Sequence, residues 1–167
     1  LQAAWDFRVG LGLDQASFRW MFGEGDDFPG LILDVYQLES GKRVVAIQAH
    51  TAGVDRLLSV IIQAVESIAE PVSIVIRNDV SQRKLEGLAI LAPETPGEPP
   101  PADELILVRS ADPGADPNAE VSLKFRIDLV HGQKTGFFLD QSENIRQFLD
   151  IVLRSLNQQT GTTPIRV

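Results

Sequence analysis

The sequence predicts an α/β fold of the α+β type, in which a mixed β-sheet packs against an amphipathic helix. Residues 31–38 and 43–49 are aliphatic and β-branched, and the Glu-Ser-Gly-Lys stretch between them is typical of a hairpin connection. Apolar residues then recur at steps of three and four over residues 54–68, which places them on one helical face. Pro71 ends that helix, and residues 72–76 form another apolar strand. A mixed sheet with the helix on one face buries all of these apolar stripes.

The sheet is expected to begin with an earlier strand. Residues 1–13 have the composition of a helix that ends at or shortly after Gly12, and we assign residues 1–17 to a linker helix. An aromatic-rich strand follows at residues 18–22, and residues 23–30 are dense in turn formers. The predicted order is therefore strand, strand, strand, helix, strand.

A proline-rich stretch divides the chain into two predicted domains. A short polar helix is expected near residues 80–85, with Gly87 as its C-cap. Residues 92–102 contain five prolines among small and acidic residues, so we expect an extended linker there. Residues 18–91 then form a central mixed α/β domain, and residues 103–167 belong to a second domain.

The second domain is predicted to open with a β-hairpin and a helix. Residues 104–109 and 121–129 form paired strands, joined by a loop at 110–119 that is rich in Asp, Pro, Gly and Asn. Asp140 caps a helix and, with Glu143 three positions later, resembles a capping box. The apolar stripe of that helix consists of Ile145, Phe148, Leu149, Val152 and Leu156.

The composition excludes several kinds of site within these residues. The 167 residues contain no cysteine, which excludes a thiolate nucleophile, a disulfide framework and a cysteine metal site. The only two histidines, His50 and His131, are far apart in the sequence, which disfavours a histidine metal cluster. A net charge of −8 predicts weak nonspecific binding to nucleic acid. The longest apolar runs are far shorter than the roughly 20 residues of a membrane span. Since no secretory signal pattern is present either, we expect a soluble, cytoplasmic chain with no membrane partner.

Residues 131–141, His-Gly-Gln-Lys-Thr-Gly-Phe-Phe-Leu-Asp-Gln, are the most unusual stretch. The two glycines permit positive φ or close approach to a ligand, Lys134 is cationic, and the two phenylalanines offer a stacking surface. These features suit a polar, aromatic cofactor, although a tight turn with a buried Phe pair and an Asp N-cap has the same pattern. A phosphate-binding loop is excluded because Gln133 replaces the last glycine of that motif and the upstream glycine is missing.

Several motifs occur in the order and spacing of one enzyme family. They are Phe22-Gly23-Glu24-Gly25-Asp26, Pro29-Gly30-Leu31-Ile32-Leu33-Asp34, Thr51-Ala52-Gly53, Arg77-Asn78-Asp79, Lys84-Leu85-Glu86-Gly87 and residues 132–141. With this set of motifs, which spans nearly its whole length, the chain resembles the class I S-adenosylmethionine-dependent methyltransferases that modify C5 of a cytosine in large-subunit ribosomal RNA. The resemblance implies three parts: an N-terminal RNA-binding PUA domain, a central α/β domain and a C-terminal Rossmann-like methyltransferase domain.

By this resemblance, the chain is the central domain followed by the first, truncated part of the catalytic domain. S-Adenosyl-L-methionine is the implied cofactor, ribosomal RNA the implied substrate, and a homodimer the implied assembly. The implied cofactor-binding residues are Lys134, Thr135, Phe137, Phe138, Asp140 and Gln141. A glycine-rich turn and a nucleophilic cysteine are expected after Val167, so the chain carries no catalytic residue and is expected to be inactive alone. The family continues after Gln141 with Arg and Asp, whereas this chain has Ser142 and Glu143, which leaves the identity of the RNA open.

Other function classes remain open on the residues alone. The sheet and the helix over residues 54–68 would also suit a noncatalytic module for dimerisation or protein docking. An exposed apolar patch and the mass in solution would distinguish such a module from a segment of an enzyme. An independent small-molecule enzyme is disfavoured because no complete acid/base or nucleophile set can be assembled. The chain starts without Met and ends in residues typical of a strand's beginning, so we expect a segment of a longer protein.

Overall fold

Four strands form a mixed sheet in the computed structural model, which describes residues 1–109 and 122–141 and, beyond them, residues 144, 147–148 and 151–152. The strands are β1 (Phe18–Phe22), β2 (Leu31–Gln37), β3 (Arg43–Ala49) and β4 (Ser73–Ile76), and they lie side by side in this order. The first three are antiparallel neighbours, whereas β4 runs parallel to β3. The predicted mixed sheet is therefore confirmed.

Two helices make the crossover between the parallel strands β3 and β4. They are α2 (Ala52–Arg56) and α3 (Leu58–Ala69), and Thr51 Oγ1 caps the first by accepting a hydrogen bond from the amide of Val54. The prediction of an amphipathic helix on the sheet is confirmed, but the single helix over residues 54–68 is wrong. The backbone breaks at Leu57, whose side chain is 47% exposed although the periodicity places it on the apolar face.

The first face of the sheet carries the larger apolar core. Side chains from α3 and from the N-terminal helix α1 (Gln2–Gly10) pack on it, and Trp20 is fully buried there. The Trp20 indole donates a hydrogen bond to the carbonyl of Leu1 and lies edge-on to Trp5, with 4.8 Å between ring centroids. The buried members of this core are Phe18, Trp20, Met21, Leu31, Leu33, Val35, Val45, Ile47, Ala49, Val54, Ile61, Val65, Ala69, Ile74 and Ile76.

The opposite face of the sheet packs against a β-hairpin of β5 (Ile106–Arg109) and β6 (Ser122–Phe125). The two predicted strands are thus present but shorter than residues 104–109 and 121–129, and the loop at 110–119 lies outside the described residues. The buried members of this second core are Tyr36, Leu38, Val44, Ala46, Val75, Ile106, Val108 and Leu129. Strand residues of the sheet and residues of the hairpin share this core, and a domain boundary at residues 92–102 stays a prediction.

The proline-rich segment runs beside β4 without regular structure of its own. Ile76 and Glu94 exchange two backbone hydrogen bonds of 2.7 and 3.0 Å, and the Ser73 hydroxyl donates to the carbonyl of Glu98. Before it, a 3₁₀ helix at Ser81–Glu86 ends at Gly87, which adopts the left-handed conformation of a C-cap as predicted. The segment therefore covers the edge of the sheet that β4 would otherwise expose.

The C-terminal helix is described only in part. Residues 144, 147–148 and 151–152 are helical, while Glu143, Ile145, Leu149 and Leu156 of the predicted cap and stripe lie outside the described residues. Asp140 belongs to a 3₁₀ turn at Leu139–Gln141. Phe148, predicted for the apolar stripe, is 64% exposed.

Candidate functional site

Residues 132–141, here called the site segment, follow β6 and lie against the second face of the sheet. Thr135 is fully buried at the centre of the segment, where it reaches the middle of β2. Its hydroxyl donates to Asp34 Oδ2 at 2.5 Å and therefore accepts, at 2.8 Å, the proton of the Tyr36 hydroxyl. The Tyr36 oxygen in turn accepts a hydrogen bond from the amide of Phe137 at 3.3 Å. Asp34, Tyr36 and Thr135 form one buried polar cluster.

Arg19 on β1 neutralises the buried carboxylate of that cluster. Its Nε and Nη2 donate to the two oxygens of Asp34 at 2.8 and 2.9 Å, a bidentate geometry that favours a charged pair. The hydrogen bond to Asp34 raises the pKa of Arg19 above its usual value, although burial opposes the shift. Burial, followed by the charge of Asp34, raises the pKa of Tyr36, so its hydroxyl keeps the proton that it donates.

Arg77, at the end of β4, holds the beginning of the site segment. The guanidinium is buried and donates to the carbonyl oxygens of Leu129 and Gly132, at 3.3 and 2.6 Å. It also forms two 3.1 Å hydrogen bonds with the carboxylate of Asp79. Burial raises the pKa of Asp79, but the hydrogen bonds from Arg77, a backbone hydrogen bond and the charge of Arg77 together outweigh it, and the net pKa lies below its usual value.

The glycines of the site segment allow its tight path. Gly136 has a φ of +126°, and Gly132 packs so closely against the carbonyl of Asp128 that a Cβ atom would collide with it. Lys134 is also in the left-handed region, with a φ of +55°, although it has a side chain. At Gly132, the atom that the glycine backbone approaches closely is the carbonyl oxygen of Asp128 in the same chain.

The opposite side of the site segment is open to solvent. Lys134 Nζ lies 4.2 Å from the centroid of the Phe138 ring and 3.5 Å from Asp140 Oδ2. Phe138 is 37% exposed, and Gln141 is exposed next to Asp140. These side chains present a cation, an aromatic face, a carboxylate and an amide on one short stretch of surface.

The six predicted cofactor-binding residues therefore fall into two groups. Lys134, Phe138, Asp140 and Gln141 lie on the exposed side of the site segment. Thr135 points into the protein, and Phe137 is half-buried, with its ring centroid 4.9 Å from that of Phe125. The structure brings all six onto one segment, and their role in binding a cofactor stays a prediction.

Four residues of this site are not singled out by the sequence. Asp34 and Arg77 occur in quoted motifs without a role, and Arg19 and Tyr36 look like ordinary strand residues. A signal existed, since a carboxylate in the middle of the apolar stretch 31–38 must find a partner if the strand is buried. The partners are far along the chain, however, and sequence spacing does not identify them.

Several of the other quoted motifs meet where β2 begins and β3 ends. The Asn78 side-chain oxygen accepts from the amide of Ala49, and the buried Arg83 donates to the Ala49 carbonyl and pairs with Asp55 at 2.8 Å. A cavity of about 190 Å³ lies beside them and includes His50, whose pKa burial lowers below its usual value. These contacts stabilise the loops that follow β3 and β4.

Within the described ranges, no group of three or more His, Asp or Glu side chains is arranged to hold a metal ion. No helix in the same ranges is long and apolar enough to cross a membrane.

Sequence comparison relates the chain to one group of enzymes. No protein-family model matches it. It is 32% identical over 133 residues to ribosomal RNA large subunit methyltransferase I of Escherichia coli K12, and equally so to that of E. coli O9:H4 strain HS. The match covers 80% of this chain and 29% of each relative.

The fold is also found in solved structures. Two structures of proteins assigned as methyltransferases, one complexed with SAH and one assigned as SAM-dependent from Streptococcus mutans, each align with a TM-score of 0.61 and 21% identity. The alignments cover 89% of this chain and about a third of each structure, 33% and 34%. The chain is therefore homologous to a segment of ribosomal RNA large subunit methyltransferase I, and it spans less than a third of that relative's length.

Proposed function

We propose that this chain is part of an S-adenosylmethionine-dependent methyltransferase, and that its site segment forms one edge of the cofactor pocket. The observation that carries the proposal is that the two sides of the site segment differ. Asp34, Tyr36 and Arg77 fix its buried side to the sheet, and its polar and aromatic side chains are exposed. The similarity to a ribosomal RNA methyltransferase supports the enzyme class. The alternative of a noncatalytic interaction module is not favoured.

The exposed side chains match the chemistry of S-adenosylmethionine. Phe138 offers a face to the adenine ring, and the carboxylate of Asp140 accepts hydrogen bonds from ribose hydroxyls or from the amino group of the cofactor. Gln141 adds an amide donor and acceptor, and Lys134 attracts a carboxylate. When bound, the cofactor supplies a methyl group on a sulfonium, which passes to a nucleophilic atom and leaves S-adenosylhomocysteine (SAH).

The substrate in this proposal is large-subunit ribosomal RNA, with C5 of a cytosine as the methylated atom. The net charge of −8 disfavours RNA binding by this chain alone, so the basic surface must lie elsewhere in a longer protein. We place residues 18–91 in a central domain between a PUA domain and a catalytic domain that begins at residue 103. The glycine-rich turn and the cysteine nucleophile follow Val167, and the full protein is a cytoplasmic homodimer.

Calorimetric titration with SAH tests the cofactor site. The full-length protein is expected to bind SAH, and the 167-residue chain alone is not, because it holds one edge of the pocket. Phe138→Ala and Asp140→Asn in the full-length protein should each weaken binding by about tenfold. Phe7→Ala and Asp6→Asn are matched controls on exposed positions of α1, and they should leave affinity unchanged. A full-length protein without SAH binding would overturn the proposal.

Methyl transfer tests the substrate separately. The full-length protein is incubated with isotopically labelled S-adenosylmethionine and either large-subunit or small-subunit ribosomal RNA. We expect label only in the large-subunit RNA, as 5-methylcytosine on nucleoside mass spectrometry. Label in another base would refute the cytosine assignment and leave the cofactor site intact.

A further inference from the structure

We infer that Asp34, Tyr36 and Thr135 are positioning residues for the cofactor edge. Through this cluster, strand β2 of the central sheet fixes the conformation of the site segment, and thereby the placement of Lys134 and Phe138. The inference rests on the proposed function and extends it from the exposed side chains of the site segment to the buried residues that hold the segment in place.

The hydrogen bonds of the cluster have a single consistent direction. Thr135 has one hydroxyl proton, which it gives to Asp34, so its oxygen is free to accept only from Tyr36. The Tyr36 oxygen is then free to accept the amide proton of Phe137. The bond from Thr135 to Asp34 fixes the direction of the bond from Tyr36 to Thr135, and the Thr135 hydroxyl makes two of the three hydrogen bonds that connect β2 to the site segment.

The bonds also join distant parts of the chain. Thr135 lies 101 positions after Asp34 and 99 after Tyr36, so the cluster ties the sheet to a segment that sequence proximity does not hold in place. The cluster is fully buried, and an apolar group in place of the hydroxyl would leave the Tyr36 proton without its acceptor and Asp34 Oδ2 with Arg19 as its remaining donor. The site segment therefore has a strong preference for this one docked position.

The backbone on either side of Thr135 needs this anchor. Lys134 and Gly136 both have positive φ, at +55° and +126°, and for Lys134 that conformation is unfavourable. The reversal turns Thr135 inward and Lys134 outward, where its ammonium contacts Phe138 and Asp140. If Thr135 is released, the backbone can relax to negative φ, and the exposed set loses its arrangement.

The test compares three variants of the full-length protein. Thr135→Val removes the hydroxyl and keeps the shape, and Thr135→Ser restores the hydroxyl on a smaller side chain. Ser73→Ala is the matched control, because Ser73 is also a buried hydroxyl with a short hydrogen bond, but its partner is the Glu98 carbonyl, outside the site segment. SAH affinity, thermal stability and amide hydrogen exchange are measured on each.

Thr135→Val should weaken SAH binding by about tenfold or more at temperatures well below its unfolding transition. It should also speed hydrogen exchange in residues 132–141 without SAH. Thr135→Ser should bind SAH with near wild-type affinity, and Ser73→Ala should lose stability with unchanged affinity. If Thr135→Val does not fold, Tyr36→Phe decides in its place, because it retains the ring and removes only the hydroxyl.

Wild-type affinity in folded Thr135→Val, or in Tyr36→Phe where that variant decides, would overturn the inference. If Phe138→Ala weakens binding in the same experiment while Thr135→Val does not, the proposed function stands and only the positioning role fails. If the wild-type protein binds no SAH, both fail. Faster exchange in residues 132–141 with unchanged affinity would show an anchor without influence on the cofactor, and that result also counts against the inference.

Discussion

The two faces of the central sheet are held to their neighbours by different forces. The first face meets α1 and α3 almost entirely through apolar side chains, centred on Trp20. The second face combines a smaller apolar core with buried polar groups, of which Asp34 and Arg77 bond to the site segment. Apolar packing tolerates shifts of the covering helix, whereas charged hydrogen bonds fix one geometry. The polar cluster lies on the second face, and this is the face on which the exposed side chains of the site segment need a defined position.

The largest effect should come from the apolar face. Trp20→Ala removes a fully buried ring and should lower the free energy of unfolding by about 3–5 kcal/mol, because the cavity cannot close around it. Urea denaturation measures the loss, with Phe7→Ala, 62% exposed in the wild type, as a control that costs little. A loss below about 1 kcal/mol would mean that the helices are not packed on this face as described.

Replacing Arg77 should lower the free energy of unfolding by less than Trp20→Ala does, and its effect should be confined to the residues that Arg77 contacts. Arg77→Met keeps the apolar stem and removes the hydrogen bonds to the carbonyls of Leu129 and Gly132. We expect a loss of about 2–3 kcal/mol, since buried acceptors are left without a donor. Hydrogen exchange should increase first in residues 129–136. Uniform acceleration over the whole sheet would contradict a local anchoring role.

The ion pair between Arg8 and Asp26 makes the first face partly pH-dependent. Burial raises the pKa of Asp26, but the hydrogen bonds from Arg8 and from the Phe22 amide outweigh it, and the net pKa is lowered. A lowered carboxyl pKa contributes stability that is complete above the unfolded value and is lost as pH falls through the folded value. Asp26→Asn should therefore cost about 1–2 kcal/mol at neutral pH.

Urea denaturation of both proteins from neutral pH down to about pH 2 checks the sign of that dependence. The difference between wild type and Asp26→Asn should shrink only at the acid end of the range. A difference that does not change with pH would show that Asp26 is not the titrating group.

The smallest effect is expected at the break between α2 and α3. Leu57→Ala should change the free energy of unfolding by less than about 0.5 kcal/mol, because the side chain is half exposed at the junction. Thermal unfolding is sensitive enough to detect this. A loss above about 1.5 kcal/mol would mean that another surface covers Leu57 in solution.

Sequence patterns were sufficient for most of the apolar architecture. The strands at residues 18–22, 31–38 and 43–49 follow from composition and turn residues, and the amphipathic stripe locates the helix on the sheet. The break at Leu57 was missed because periodicity describes a continuous helix and is insensitive to one distorted turn.

The candidate site was predictable only on its exposed side. The glycines, Lys134 and the two phenylalanines mark the site segment as unusual, whereas the inward direction of Thr135 depends on Asp34 and Tyr36, about 100 positions earlier. Contacts at that separation are set by how β6 and the loop after it return to the sheet. No local pattern encodes them, although an acidic residue inside an apolar strand indicates that such a partner exists.

Hydrogen exchange of the full-length protein with and without SAH tests the central claim most directly. We predict that SAH slows exchange in residues 132–141 and leaves residues 23–30, which connect β1 to β2, unchanged. Bound SAH with no protection in residues 132–141 would contradict the account, because the cofactor would then lie against a different part of the protein.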